Sequence, residues 1–201
     1  KYLFIDIASH DGAIACVDDS NLIACIPCEN RTQDDQLLSV IEQVLEHAKW
    51  TYSDLTSLAC VIGPGGFTSL RMAASCANTL ADQLDIPASG VHLSDLLFAR
   101  AQTKDLLWLH STKRTELFVR GFGEYSTKWS DSTHIMLDDL ITQVPDDALW
   151  TGELLPQHAE ALSKSNLKKA ELLSHDKFLP SFLGELSYKK DLLLPWYGRT
   201  P

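Results

Sequence analysis

No stretch of this chain comes near the ~20 consecutive apolar residues that a membrane-spanning helix needs, and no charged-then-apolar leader opens it. Lys1 leads directly into an apolar run, so a cytoplasmic protein with no membrane partner is expected. Positive charge is scarce: 17 Lys and Arg stand against 27 Asp and Glu, a formal net charge of −10. A surface that grips tRNA or a duplex needs a basic stripe to neutralise phosphates. The one local basic cluster is Lys113-Arg114, with Lys128 beyond it. Direct binding of nucleic acid by this surface is therefore not expected. No internal repeat and no low-complexity linker interrupts the chain.

Metal and nucleophile chemistry is thinly provided. The five cysteines are odd in number and sit inside apolar patterns. Cys25 and Cys28 have redox-like spacing, but active dithiols of that kind sit at helix N-termini, where the thiol pKa falls. These lie at the end of a predicted strand, where positions three apart face opposite sides, so core thiols are the expectation. The seven histidines (His10, His47, His92, His110, His134, His158 and His175) show no ligand spacing and read as surface or packing residues. No Ser-His-Asp or Cys-His arrangement with a recognisable nucleophile turn is present.

What is present is periodicity, over a length that can bury a sizeable core as one domain or two small lobes. Residues 2–8, 13–17 and 22–26 are short β-rich runs, the first broken by a single carboxylate, Asp6. Asp18-Asp19-Ser20-Asn21 supplies turn chemistry between the second and third, so the three predict an antiparallel meander. From Gln33 to Ala48 the apolar residues fall at helical spacing, in a stripe wider than one face needs. Asp34 and Asp35 sit in its first turn, where the helix dipole favours them. A strand at 58–62, a glycine loop, a helix at 70–84 and a strand at 88–92 follow. Ser94 is then a plausible N-cap for a helix through Gln102. Beyond it a strand pair is expected at 106–109 and 116–122, a strand at 148–152, and helices around 157–164 and 177–190. The lobes divide as 1–98 and 99–201.

The loop reads Gly63-Pro64-Gly65-Gly66-Phe67-Thr68-Ser69-Leu70-Arg71. Its glycines let another backbone or a phosphate approach closely, and the following helix N-terminus suits an anion. A plain tight turn from strand to helix remains the other reading. The loop is neither a Walker A nor a Gly-x-Gly-x-x-Gly sequence. As spelled, it resembles Gly-Pro-Gly-Ser-Phe-Thr-Gly-Leu-Arg, the signature of the bacterial TsaB (YeaZ) family. Seven of nine positions match, with departures at Gly66 and Ser69. By pattern the resemblance spans about residues 3–122 and touches Pro195-Trp-Tyr-Gly-Arg199, similar to the family's Pro-x-Tyr-Leu-Arg ending. It weakens at His110–Phe118, where the Asp and Gly of the family's Asp-Ala-Arg-x-Gly-Glu-Val-Tyr are missing and Glu116 persists.

The resemblance implies an α/β fold of two ribonuclease-H-like lobes of the actin/Hsp70/sugar-kinase (ASKHA) superfamily, with the second lobe reduced. It implies a non-catalytic subunit that docks on a TsaD-type enzyme, with a TsaE-type ATPase. That complex transfers threonylcarbamoyl to the adenosine beside the tRNA anticodon, and the subunit is a homodimer in isolation and meets tRNA only through the complex. Carried over by position, the partner face is Leu37, Ile41, Val44, Leu45 and Ala48 with Arg71, Ala74 and Asn78. Asp6, Gly63, Gly65, Gly66 and Thr68 form the nucleotide-proximal set. No cofactor is expected on this chain alone, and ATP or ADP belongs at a subunit interface. TsaD-type relatives carry a His-x-x-x-His metal pair on the first-lobe helix, where this chain has Gln33, Gln36 and one histidine, His47. No metal site and no catalytic residue are therefore expected. Two alternatives stay open: an autonomous ATP-dependent kinase-like or acyl-transfer enzyme of the same fold, and a stand-alone homodimeric module.

Overall fold

A computed structural model gives the structure of residues 1–28 and 36–198. Two compact units are formed, one from residues 1–93 with 174–201, the other from 94–173. In the first, β1 (Tyr2–Ile5), β2 (Ala13–Val17) and β3 (Leu22–Pro27) make the expected antiparallel meander. Then come α1 (Leu37–Ala48), β4 (Ser57–Gly63), α2 (Phe67–Leu84) and β5 (Ala88–His92). The sheet order is β3-β2-β1-β4-β5, with β4 parallel to both β1 and β5. Strands β1, β2 and β4 read as nearly unbroken apolar runs because both of their faces are covered. On one face Leu3, Ile5, Ile14, Cys16, Leu58 and Cys60 meet the buried stripe of α1 and Ala73 and Ala77 of α2 in a single core. The expected first turn of α1, with Gln33, Asp34 and Asp35, lies outside the described residues, as does Arg199.

Helix α3 (Leu93–Ala101) leads into the second unit. Ser94 is not its N-cap: it lies inside the helix, fully buried, and accepts a bond from Arg120 Nη1 at 2.7 Å. The unit continues with β6 (Leu106–Ser111), β7 (Glu116–Phe122), β8 (Thr133–Met136), α4 (Leu137–Gln143), β9 (Leu149–Glu153), α5 (Pro156–Ser163) and β10 (Lys168–Lys169). Its sheet order, β10-β9-β6-β7-β8, repeats the first. Again a three-stranded antiparallel meander is followed by a helix, a strand parallel to the first, a helix and an outer parallel strand. Both units are ribonuclease-H-like, and the second is reduced. Its helices α4 and α5 have 7 and 8 residues against 12 and 18 for α1 and α2, and its outer strand has two residues. A core of Leu107, Leu109, Leu117, Val119, Trp129, Leu140 and Trp150 holds it together.

Helix α6 (His175–Glu185) returns to the first unit, burying Phe178, Leu179 and Leu183. The sequence gives everything after residue 98 to the second lobe; the structure gives the stretch from Ser174 onward to the first. Among the described residues no helix is long and apolar enough to cross a membrane.

Candidate functional site

The glycine loop joins β4 to α2, and the helix starts earlier than its small-residue pattern suggests, at Phe67. Gly66 is its N-cap, no side chain caps the first turn, and Thr68 is exposed within it. The close approaches permitted by the first two glycines are made by the chain itself. Gly63 has φ +140°, which disfavours any side chain, and a Cβ there would fall well inside 3.0 Å of the Trp196 carbonyl oxygen. A Cβ on Gly65 would do the same against Ala8. Gly66 has ordinary room.

Asp6 follows β1 and is buried in the turn that leads to β2. Its Oδ1 accepts the backbone N–H groups of Ala8 (3.2 Å) and Ser9 (3.1 Å), and its Oδ2 accepts the Ser9 hydroxyl. The carboxylate is thus committed to its own turn. The space beside Gly63 and Gly65 is taken up by Trp196 and Ala8 of the same chain. Burial raises the Asp6 carboxyl above its ordinary value of 3.8, against the opposing pull of the Ser9 hydroxyl and the two N–H groups. A native value above the unfolded one means that the folded state binds the proton more tightly. The group's contribution is therefore complete below pH 3.8 and is lost as pH rises through the native value. Asp6→Asn keeps an acceptor oxygen for the two N–H groups and removes the titration. Its stability relative to the parent, measured by urea unfolding, is expected to improve as the pH is raised above 3.8 and to level off once the native carboxyl has ionised. A constant difference across that range would show that the carboxyl does not titrate with folding.

The helix residues named from sequence divide sharply. Leu37, Ile41, Val44, Leu45 and Ala48 form the sheet-facing stripe of α1, at 0–7% exposure. Ala74 is buried as well, at 2%. These six support the fold and are not presented for a partner, a correction to their expected role. The stripe read from sequence is wider than one face because it includes Leu38, which is exposed, and Val40, which is only partly buried. The outward side of α1 carries Leu38, Glu42, Gln43 and Glu46, with Leu38 at 56% exposure. The outward side of α2 carries Phe67, Arg71, Ser75 and Thr79 at four-residue spacing, with Arg71 over the Phe67 ring at 5.3 Å. Asn78 is half-buried and holds Leu193 by both backbone groups.

Other candidates resolve into structural roles. All five cysteines are free thiols, and burial pushes Cys16 up to about 12 and raises Cys25, Cys60 and Cys76. Among the described residues no group of three or more His, Cys, Asp or Glu is placed to hold a metal. His47 is exposed at the end of α1. His158, read from sequence as a surface or packing residue, is fully buried and links three segments of the second unit. Its Nε2 lies 2.7 Å from the Arg114 carbonyl, which can only accept, so the proton is on Nε2. Nδ1 then accepts the Ser111 hydroxyl at 2.8 Å, while Ser111 Oγ accepts the Leu155 N–H at 2.8 Å. The only sequence signal for this was an imidazole in register with Leu162, one turn along a short amphipathic helix.

Comparison with known proteins places this geometry. The profile of the TsaD family, described as tRNA N6-adenosine threonylcarbamoyltransferase, matches residues 29–182. A tRNA threonylcarbamoyladenosine biosynthesis protein TsaB of Buchnera aphidicola subsp. Acyrthosiphon pisum is 26% identical, over 65% of this chain and 62% of its own length. The TsaB protein of Buchnera aphidicola subsp. Schizaphis graminum is 36% identical, over 65% and 53%. A tRNA N6-adenosine threonylcarbamoyltransferase of Shouchella clausii is 30% identical, over 67% and 38%. The chain thus spans less than two thirds of each of these curated relatives. Among solved structures, a protein described as similar to peptidase YEAZ from Pseudomonas aeruginosa superposes with a TM-score of 0.74. It is 16% identical, and the match covers 98% of this chain and 99% of that one. YeaZ from Pseudomonas aeruginosa gives 0.67 at 18% identity, covering 91% and 90%. At such identities these two establish the shared fold.

Proposed function

The chain belongs to the TsaD family, with curated matches named TsaB and structural neighbours described as YeaZ or similar to it, and from that premise we propose that it is a cytoplasmic, non-catalytic subunit of tRNA threonylcarbamoyladenosine biosynthesis. It docks on a TsaD-type enzyme, works with a TsaE-type ATPase, pairs with a second copy when alone, and meets tRNA only through the complex. ATP or ADP belongs to an interface in that complex. The observation that carries this reading is the use to which the glycine loop is put. The space beside Gly63 is filled by the Trp196 backbone and that beside Gly65 by Ala8, and Asp6 is bound to its own turn. The loop therefore fixes where α2 begins, and α2 offers outward a stripe of Phe67, Arg71, Ser75 and Thr79.

Small outward residues such as Ser75 allow a partner helix to approach closely, and Phe67 supplies an apolar anchor of the kind that dominates binding energy. Ser75→Arg places a long charged side chain in the middle of that stripe without touching the core. It is expected to leave thermal unfolding unchanged and to abolish co-elution with the same organism's TsaD-type protein on a sizing column. An unaltered complex would remove α2 from the interface. ATP hydrolysis by the isolated chain would replace this reading with the kinase-like one.

A further inference from the structure

The stretch after α6 is bound to the first unit in the way a peptide ligand is bound. Lys189 exchanges two backbone bonds with Ala88 of the edge strand β5, at 2.8 and 3.0 Å. Four residues on, the Asn78 side chain clamps both backbone groups of Leu193: its Oδ1 accepts the N–H at 2.8 Å and its Nδ2 donates to the carbonyl at 3.0 Å. Three residues further, the Trp196 N–H donates to the Ile62 carbonyl at 2.7 Å, and the Trp196 carbonyl occupies the place of a Cβ on Gly63. Side chains are read at few positions. Leu193 enters the core at 9% exposure, the Trp196 ring meets His92 edge-on at 4.5 Å, and Tyr197 lies 5.0 Å from Phe67. Leu192 and Leu194, by contrast, stand 76% and 72% exposed.

Backbone capture by a strand edge and a side-chain amide, with pockets for a few side chains, is how extended peptides are recognised in trans. Residues 189–197 fill the groove only in part. Beside Asn78 a cavity of about 260 Å³ stays open between the end of α2 and Lys189–Leu192, lined also by Asp85 and Ile86. We propose that the groove along β5, α2 and the end of β4 is a peptide-binding site, and that residues 189–197 are its ligand in cis, a latch that leaves and returns as a unit. The ligand class is an extended peptide carrying a leucine and, three residues later, a tryptophan. The inference does not depend on the proposed place in tRNA modification.

The test uses the full chain with its latch weakened in place. Leu193→Asp puts a charge into the core pocket and leaves the groove intact, so a fluorescein-labelled synthetic peptide of residues 187–198 is expected to bind that variant. Binding to the parent should be at least about tenfold weaker, because its groove is already occupied most of the time. Adding Asn78→Ala to the variant should abolish the binding. Should Leu193→Asp fail to fold, Trp196→Ala, which trims a half-buried ring, serves the same purpose. Hydrogen exchange on the unaltered protein gives an independent reading. The amides of Lys189, Leu193 and Trp196 should exchange together, sooner than those of β1 and β4. A folded variant that ignores the peptide, or latch amides that exchange only with global unfolding, would make the segment a fixed part of the fold and overturn the proposal.

Discussion

Ile41→Glu is expected to unfold the first unit, whereas Leu38→Glu, three positions earlier on the same helix, should leave stability untouched and weaken the proposed partner complex. Ile41 is completely buried in the core under α1. Removing a large aliphatic side chain from such a site costs roughly 2–5 kcal/mol. The incoming carboxyl adds the cost of desolvation, met by taking up a proton or by drawing in water. Together these approach the about 5–15 kcal/mol that holds a typical domain folded. Loss of near-ultraviolet dichroism and of a cooperative melt would report it. Leu38 is more than half exposed, where a substitution stays within about 0.5 kcal/mol. As a contact in the proposed TsaD-type complex, it should on gaining a charge weaken that complex by at least about 2 kcal/mol, the cost of losing an anchor residue. Retained affinity in a stable Leu38→Glu protein would mean that α1 does not face the partner. The pair of substitutions separates a role in folding from a role in docking, which the helical pattern alone merged.

The second large effect belongs to the smaller unit. Gly152 of β9 has φ +140° and is paired with Leu109 of β6, and a Cβ on it would lie far inside 3.0 Å of the Leu109 carbonyl. Alanine at this position incurs backbone strain of about 1–3 kcal/mol and a steric penalty of similar size. The obstructing atom is backbone in a paired strand, so little can give way. For a unit of this size the sum lowers the melting temperature by about 10 °C or more. Three of the five tryptophans, Trp108, Trp129 and Trp150, lie in this unit, so most of the fluorescence change follows its unfolding. Gly184→Ala, in α6 with nothing within 4 Å of the new Cβ, is the control and should be neutral or stabilising by up to about 1 kcal/mol. Equal melting of Gly152→Ala and the parent would contradict the strand geometry at β9.

Much of the first unit was legible because its elements are strongly periodic. The three-strand meander, the helix after it and the strand, glycine loop and helix all appear where apolar spacing changes from two to 3.6. Legibility failed where elements are short or exposed. Strand β8 has four residues, none fully buried, and α4 buries only Leu140, so neither leaves a clear pattern. The repeat of one topology in both units is implied by the family resemblance and is borne out, but the residues of the second unit do not show it by themselves. Strand order is preserved by layers of apolar residues, which many sequences satisfy equally, and no stretch of the second unit copies the first.

The sequence by itself determined the fold class, the order of elements in the first unit and the family, since each depends on local spacing or on a contiguous motif. Tertiary structure decided what those residues are for. The α1 stripe belongs to the sheet, His158 ties Ser111 to Arg114, and Gly63 makes room for Trp196, which lies more than a hundred positions away in the chain. A glycine records that something comes close. Only the folded chain shows what comes, because the partner is chosen by long-range packing that no local pattern encodes.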